Sequence, residues 1–464
     1  MSEPVRTSGL RPTAALALVV GLAALPRLAG LFTDFTTDEV WSLLLALHAR
    51  SAGALVWGTF HDNNHPLNSL FLRALGEQRY WFVYRLPAFV LGLGAVGAAV
   101  WWGRLAGARA ALICGGVVAA NHLMIVYASE ARGYAALCFF CLVALALDER
   151  LRTGPAPLPR AIFWGACLLG ALAHLQFAFW FAALLAGALV RVTHGGESWK
   201  RAAAQYAPAL VAVALCAARA RGMVIGGNPE EPLSSVVVHA AAWTVSLGGW
   251  SPFAVDAVMF AVACVGLGLG TAGRFTPDRV AFAVCLVVLP FATGAFTAIS
   301  VRYLLVVALG ALLGLGRVLD LGLARRGAPR LGAVLISGLW LAGQARFETE
   351  FQAEGRGAYL DAFQVMADSC RERPRVVVGN NDFRTELLAG FYRPYLELAH
   401  ALEVRAAATA LASPPDWYLA TGRGVAATAS PALPLGGQGE FRPVLVRPCR
   451  TVSCTEVVLY RRFP

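Results

Sequence analysis

Charged residues are scarce in this chain: 14% of its 464 residues are Asp, Glu, Lys or Arg, and Lys200 is its one lysine. Globular proteins carry about 25% charged and about 45–50% apolar residues, glycine included. Here 58% of the residues are hydrophobic before the 47 glycines are counted. A soluble core cannot bury that excess, so the composition excludes a soluble enzyme, a disordered chain and a collagen-like chain. It indicates a polytopic membrane protein.

The ten cysteines lack the spacing of a metal site. Seven lie in apolar stretches and are interpreted as small hydrophobic residues: Cys114, Cys138, Cys141, Cys167, Cys216, Cys264 and Cys285. Cys449 and Cys454 flank a short turn between two strand-like runs, and the sequence leaves open whether they form a disulfide.

A helix needs about 20 apolar residues to cross a membrane. About eleven stretches are candidates, near 12–32, 83–103, 108–127, 131–148, 160–175, 177–192, 202–221, 253–272, 280–298, 302–322 and 330–346. Residues 236–250 are predicted to form an interfacial helix. We therefore expect an all-α polytopic membrane domain over 1–346, including an outer loop at 33–82.

The net charge of +11 reflects membrane topology. Residues 347–464 carry 13 arginines and 13 acidic residues, whereas 1–346 carry 26 basic and 15 acidic residues. Sixteen of the 26 fall on one side of the predicted membrane: Arg6, Arg11, Arg104, Arg109, Arg150, Arg152, Arg160, Arg191, Lys200, Arg201, Arg274, Arg279, Arg317, Arg325, Arg326 and Arg330. This asymmetry places the N-terminus in the cytoplasm and excludes a nucleic-acid partner. The near-absence of lysine is typical of GC-rich genomes, so we expect a bacterial cytoplasmic (inner) membrane protein. The first span resembles a signal peptide without a small-residue cleavage site, so we expect it to be retained as an anchor.

Residues 347–464 are predicted to form a small extracytoplasmic α/β domain. The sequence indicates an amphipathic helix at 357–370, strands at 375–379 and 417–420, and a terminal hairpin that pairs 443–447 with 456–460.

The chemistry-bearing residues begin with Thr-Thr-Asp-Glu at 36–39, directly after the first span. Asp38 should lie at the membrane surface, where a carboxylate can act as general base on a substrate that reaches it from the bilayer. Spacing alone favours a simpler role, in which Thr37 or Asp38 caps a helix.

A second group is His61-Asp-Asn-Asn-His-Pro-Leu-Asn68. Asp62, Asn64 and His65 are sufficient for a metal site or for hydrogen bonds to a substrate, and the alternative is a polar turn in which Pro66 begins a surface helix.

Further ionisable residues stand at outer helix ends. On a continuing helix Tyr127, Glu130 and Tyr134 would share one face, with Arg132 beside them. Arg85 and Arg302 stand at the outer ends of apolar spans, and arginine binds phosphate through several donors. Each arginine alone also suits an interface anchor, as Arg302 does with Tyr303.

The order of these pieces resembles the C-type glycosyltransferase superfamily, in the branch of the protein O-mannosyltransferases and the lipid A aminoarabinose transferase. It runs from Asp-Glu after one span, through a His-Pro loop, Arg-Leu-Pro at span 2 and Glu-Ala-Arg-Gly-Tyr at span 4, to a late Arg-Tyr. The likeness covers spans 1 to 4 well and the later spans loosely. Val40, Trp41 and Ser42 replace the family's usual Ala-x-Tyr, and His-Pro-Leu replaces His-Pro-Pro.

The resemblance implies an inverting glycosyltransferase that moves a sugar from a polyprenyl-phosphate donor to an acceptor hydroxyl on the outer face of the membrane. Asp38 matches the catalytic aspartate and Glu39 its partner. The implied substrate-binding residues are Asp62, Asn64, His65, Arg85, Glu130, Arg132, Tyr134, Arg302 and Tyr303. A divalent metal occurs in some members only, with Asp38 and His65 as candidate ligands here. The acceptor is left open between lipid, polysaccharide and protein.

Two alternatives remain, a flippase or transporter of a lipid-linked glycan and a non-catalytic scaffold of the cell envelope. A transporter would place ionisable residues near the middle of the bilayer, and the predicted spans carry few charges at that depth. The crowding of polar residues at outer helix ends therefore favours an enzyme.

Overall fold

A computed structural model describes residues 12–152, 154, 156–224, 232–246, 253–292, 301–398, 400–409, 414–434 and 440–463. Within it the chain forms two compact units. Unit 1 comprises Met1–Leu31 and Ala49–Phe347, and unit 2 comprises Phe32–His48 and Glu348–Pro464. Arg6 and Arg11, residues 247–250 of the predicted interfacial helix and residues 293–298 of the ninth predicted span lie outside the described residues.

Unit 1 is built from apolar helices. They are α1 (Pro12–Leu31), α3 (Ala52–Trp57), α4 (Pro66–Leu75), α5 (Phe82–Arg104), α6 (Ala108–Ala120), α7 (His122–Tyr127), α8 (Tyr134–Leu151), α9 (Pro157–Ala173), α10 (Phe177–Thr193), α11 (Trp199–Ala218), α12 (Leu233–Val245), α13 (Phe253–Leu267), α14 (Pro277–Ala292), α15 (Leu305–Ala324) and most of α16 (Ala328–Glu354).

A helix lies at each of the eleven predicted spans. Within the described residues, three helices are long and apolar enough to cross a membrane, namely Phe82–Arg104, Trp199–Gly222 and Val301–Ala324. These spans, with the shorter apolar helices, make the chain a multi-pass membrane protein; the number eleven stays a prediction. The predicted span 108–127 is divided, because α6 ends before Asn121 and α7 begins after it.

The continuing helix on which Tyr127, Glu130 and Tyr134 would share one face does not form. α7 ends at Tyr127, a turn follows, and α8 begins at Tyr134. The rings of Tyr127 and Tyr134 nevertheless lie 4.5 Å apart, because the turn brings the two helix ends together.

Two buried arginines donate hydrogen bonds to the carbonyls at two helix ends of unit 1. Arg27 Nη1 donates to the carbonyl of Ala119 at 2.8 Å, at the C-terminal end of α6. Arg85 Nη1 donates to the carbonyls of Gly30 and Leu31 at 3.2 and 2.9 Å, at the end of α1. Both arginines are fully buried. The last carbonyls of a helix have no partner within it, so these side chains satisfy groups that would otherwise be buried without a hydrogen bond.

Asn121 joins three helices through one buried amide. Its Nδ2 lies 3.0 Å from the carbonyl of Trp243 and 3.0 Å from Oε1 of Gln344, and its Oδ1 accepts from the backbone of Met124. Gln344 Oε1 also accepts from the backbone N–H of His122 at 2.8 Å. Gln344 on α16 is therefore the shared acceptor for two buried donors.

A network of ion pairs connects the C-terminal ends of α8 and α10 with the N-terminal end of α14. Asp148 accepts from Arg191 at 3.0 Å and from Arg152 at 3.0 Å, and Arg152 also reaches Asp278 at 2.6 Å. Glu149 pairs with Arg279 at 3.0 Å. Several arginines of the predicted cytoplasmic loops thus have carboxylate partners within unit 1.

Unit 2 combines α2 (Thr37–His48) with a six-stranded sheet and two further helices, α17 (Tyr359–Ser369) and α18 (Asp382–Tyr392). The strands are β1 (Arg375–Gly379), β2 (Leu402–Val404), β3 (Trp417–Gly422), β4 (Leu433–Pro434), β5 (Glu440–Arg447) and β6 (Glu456–Phe463).

The sheet order is β2-β1-β3-β6-β5-β4, parallel from β2 to β3 and antiparallel beyond. The predicted small C-terminal α/β domain, its two strands and its terminal hairpin are confirmed. Cys449 and Cys454, beside the turn of that hairpin, form a disulfide.

Replacing Gln344 tests the buried amide network. Gln344→Leu removes the acceptor of the Asn121 amide and of the His122 N–H, so the free energy of unfolding should fall by about 1–3 kcal/mol. The measurement is the thermal midpoint of the detergent-purified protein. Gln352→Leu, an exposed glutamine of the same helix, is the control and should change the midpoint little. Equal midpoints for the two variants would contradict this role of Gln344.

Candidate functional site

His65 opens α4 and is held in an extended conformation by the proline that follows. Its φ is −99° and ψ is 95°, Pro66 occupies the first helical position, and the imidazole makes no hydrogen bond that caps the helix. The backbone carbonyl of His65 accepts from Ser69 at 2.8 Å. Helix α4 therefore fixes the backbone of His65 and leaves its buried ring to contact other elements.

Four side chains form what we call the His65 cluster: His65, Arg132, Tyr134 and His174. Arg132 Nη2 donates to Nε2 of His65 at 3.1 Å. The His65 ring stacks on the ring of His174 at 4.7 Å, and the Tyr134 ring lies 5.4 and 5.3 Å from the two imidazoles. The Arg132 guanidinium lies 5.2 Å above the Tyr134 ring, a cation–π distance. All four side chains are buried.

Close backbone approach makes this cluster possible. A Cβ atom at position 133 would lie 2.1 Å from the carbonyl oxygen of Ala173 and 3.0 Å from Cβ of His65. Only glycine fits there, between Arg132 and Tyr134. Asn68 on α4 then donates to the carbonyl of Ala131 at 2.8 Å, which ties α4 to the same turn.

Arg302 is linked to the cluster through the turn between α9 and α10. The backbone N–H of Gln176 donates to Nδ1 of His174 at 3.1 Å, and its side-chain Nε2 donates to the carbonyl of Arg302 at 2.7 Å. The Arg302 guanidinium lies 5.5 Å from the Tyr303 ring centre. One short turn therefore holds both His174 and the backbone that carries Arg302.

The cluster is electrostatically positive around a neutral histidine. Burial lowers the pKa of His65 well below its usual value, and His174, Arg132 and Arg302 lower it further. Arg132 can only donate, so Nε2 of His65 accepts and the neutral ring carries its proton on Nδ1. Two guanidinium groups acting on one neutral imidazole favour an anion over a cation as ligand.

Asn64 and Asp62 have structural contacts. Asn64 Nδ2 donates to the carbonyls of Leu55 and Thr59 at 2.8 and 2.9 Å, and its Oδ1 accepts from Ser69 Oγ at 2.8 Å. Asp62 lies 3.0 Å from Nδ1 of His61. These contacts fold the loop that leads into α4.

Asp38 and Glu39 belong to unit 2, and their surroundings differ. Thr36 caps α2: its Oγ1 accepts from the Glu39 N–H at 3.3 Å, and Glu39 Oε2 accepts from the Thr36 N–H at 2.9 Å. This is a capping box. The expected cap at Thr37 or Asp38 is therefore misplaced by one or two residues. Glu39 is buried in this exchange, whereas Asp38, in the first turn, is half-buried.

The structure thus brings together several predicted residues of unit 1 and adds others. His65, Arg132 and Tyr134 are in contact, Glu130 lies in the same turn, and Arg302 and Tyr303 are joined to them through Gln176. Arg85 is bound to the end of α1. Sequence analysis missed Asn68, Gly133, His174 and Gln176. The one sequence signal for His174 and Gln176 is the polar His-Leu-Gln between two apolar stretches.

Among the described residues there is no group of three or more His, Cys, Asp or Glu side chains that could hold a metal ion. Of the two nitrogens through which His65 could bind a metal, Nε2 accepts a hydrogen bond from the Arg132 guanidinium.

No family model and no curated protein matches the chain. It is similar to a crystal structure of ArnT from Cupriavidus metallidurans bound to undecaprenyl phosphate, at 14% identity and a TM-score of 0.49, over 96% of this chain and 97% of that one. It is also similar to the Archaeoglobus fulgidus oligosaccharyltransferase tethered with an acceptor peptide, at 15% identity and a TM-score of 0.46, over 82% of this chain and 59% of that one. Similarities at this level leave the reaction of this chain open.

The lowered pKa of His65 predicts a pH-dependent stability. In the unfolded chain His65 binds a proton below about pH 6.5, whereas the lowered pKa keeps the imidazole neutral in the folded protein. The contribution of His65 to the free energy of unfolding is therefore complete above about pH 6.5 and is lost as the pH falls below it. The loss approaches about 1.4 kcal/mol per pH unit. His65→Gln keeps an acceptor for Arg132 and removes the titration, so its thermal midpoint should fall less than wild type between pH 7 and 5.

The control for this measurement is His48→Gln, which replaces an exposed histidine. It should keep the pH slope of the wild-type protein. A His65→Gln protein with the same slope would mean that the imidazole of His65 is protonated in the folded state.

Proposed function

We propose that the chain is an inverting glycosyltransferase that moves a sugar from a polyprenyl-phosphate donor to an acceptor hydroxyl on the outer face of the membrane. The observation that carries the proposal is the His65 cluster with Arg302, where two guanidinium groups act on one buried neutral imidazole. Such a site suits the phosphate of a lipid carrier, which must be bound in the donor and stabilised as it leaves.

Asp38 is the proposed general base. Glu39 is buried and accepts from the Thr36 N–H, whereas Asp38 is half-buried, and we assign the proton exchange with a substrate to Asp38. As the acceptor oxygen attacks the anomeric carbon, its proton passes to Asp38. The bond from that carbon to the phosphate oxygen breaks, and polyprenyl phosphate leaves with inversion.

The roles of the remaining residues follow from their contacts. Arg132 and Arg302 are proposed to bind the phosphate, with His65, Tyr134 and Glu130 shaping the site. The contacts of Asn64 and Arg85 favour a structural role for both. The proposed setting is a bacterial inner membrane with a cytoplasmic N-terminus and the 347–464 domain outside. The sugar, the acceptor and any divalent metal are left open.

Replacing Asp38 tests the reaction. With purified protein in lipid, a panel of polyprenyl-phosphate sugars and a membrane extract as acceptor source, Asp38→Asn should reduce release of free polyprenyl phosphate by about 10²- to 10⁴-fold, the usual contribution of a general base. Donor binding and the thermal midpoint should be unchanged.

The matched control is Asp361→Asn, which alters an exposed aspartate in the first turn of α17, in the same unit. Its activity should equal that of wild type. Near-normal release by Asp38→Asn would overturn the assignment, and donor binding without turnover by the wild-type protein would favour the flippase or scaffold.

Replacing Arg302 tests the phosphate site separately from the chemistry. Arg302→Gln removes one charged donor, so the affinity for undecaprenyl phosphate should fall about tenfold or more. Binding of this lipid, which carries no sugar, is measured directly on the detergent-purified protein. Arg104→Gln, an exposed arginine at the end of α5, should bind as wild type. Equal affinities of the two variants for undecaprenyl phosphate would show that Arg302 does not bind the phosphate.

A further inference from the structure

A single tyrosine of the C-terminal part of unit 2 holds the backbone just before Asp38. The hydroxyl of Tyr392, the last residue of α18, accepts from the backbone N–H of Phe35 at 2.8 Å and donates to the carbonyl of Phe35 at 3.0 Å. Both Phe35 and Tyr392 are fully buried. One hydroxyl thus satisfies both polar backbone groups of one residue, which are costly to bury without partners.

The two residues before Phe35 are held by other parts of the same unit. Asp34 Oδ2 accepts from the backbone N–H of Leu360 in the first turn of α17 at 2.9 Å. Thr33 Oγ1 accepts from Arg356 Nη1 at 2.6 Å. The Phe35 ring also stacks on Phe391 of α18 at 5.0 Å. Three consecutive residues are therefore fixed by side chains or backbone from 356–392.

This fixed segment leads directly into the first turn of α2. Thr36, the residue after Phe35, exchanges hydrogen bonds with Glu39 and so caps the helix. Asp38 lies inside that capping box, between the two residues that form it. The position of Phe35 therefore sets where α2 begins and where the Asp38 carboxylate can lie.

We propose that Tyr392 is a positioning residue for Asp38, and that the C-terminal part of unit 2 belongs to the catalytic apparatus through it. This rests on the proposed function, in which Asp38 is the base. Tyr392 itself acts on Asp38 through the backbone of Phe35 and the capping box. Loss of its hydroxyl should impair the reaction step while donor binding is kept.

The test compares Tyr392→Phe with Tyr460→Phe in the full-length protein in lipid. Tyr392→Phe removes the hydroxyl and keeps the ring, so kcat should fall about 10- to 100-fold, as a small displacement of a reacting group does. The KM for the donor and the affinity for undecaprenyl phosphate should stay as in wild type. Tyr460, a buried tyrosine on β6 packed with Phe441 and Val458, is the control and should keep full activity when changed.

Hydrogen exchange provides a readout that does not depend on turnover. The amide of Phe35 should exchange faster in Tyr392→Phe than in Tyr460→Phe, and the amides of Thr36 and Glu39 should follow it. A second variant, Asp34→Ala, removes the link to α17 and should likewise lower kcat with an unchanged donor KM. It tests the same proposal if Tyr392→Phe does not fold.

The outcomes separate the two proposals. An inactive Asp38→Asn together with fully active Tyr392→Phe and Asp34→Ala would overturn the positioning role alone. A raised donor KM with unchanged kcat in Tyr392→Phe would also overturn it, because the residue would then serve binding. An active Asp38→Asn would instead remove the proposed function on which the positioning role rests.

Discussion

A helix leaves its first N–H groups and its last carbonyls without partners, and burying such groups in apolar surroundings is costly. The described part of unit 1 contains many short apolar helices whose ends are buried, so this requirement accounts for much of its polar side-chain placement. Arg27 and Arg85 serve the ends of α6 and α1, and Asn121 and Gln344 serve the break between α6 and α7. Polar residues in this unit are therefore often structural where the sequence alone suggests chemistry.

The same requirement distinguishes the arginines that sequence analysis treated as equivalent. Arg85 and Arg302 both stand at the outer ends of predicted apolar spans. Arg85 is fully buried and donates to carbonyls more than fifty positions earlier in the chain, whereas Arg302 is half-buried and held through its backbone by Gln176. No local pattern carries that difference, because it depends on which helix end lies beside each guanidinium. The chemistry of each of these two arginines could be predicted from the sequence, but the groups to which it donates hydrogen bonds could not.

Elements with a local pattern were predicted well. Strand β1 and the β5–β6 hairpin follow from short runs of alternating or β-branched residues bounded by turns, and the two strands of the hairpin pair as expected. The break between the predicted spans 108–127 and 131–148 was expected, but the conformation of 128–133 was not, because these residues fit a helical period as well as a break. His174 was missed for a related reason, since a single histidine between two apolar runs indicates a turn and nothing more. Its stacking on His65 needs Gly133, whose role depends on the approach of Ala173.

Unit 2 shows how environment separates two adjacent carboxylates of identical chemistry. The Thr36 N–H donates to the Glu39 carboxylate and the Thr36 hydroxyl accepts from the Glu39 N–H, and these two hydrogen bonds form the capping box. The residue just before that box is Phe35, whose N–H and C=O are both bound by one hydroxyl 357 positions further along the chain. The local motif Thr-x-x-Glu can be recognised in the sequence, whereas the long-range contact that orients it cannot. This combination explains why the Asp-Glu pair could be named from the sequence and the contact that positions it could not, and under the proposal it makes the C-terminal part of unit 2 a determinant of the position of Asp38.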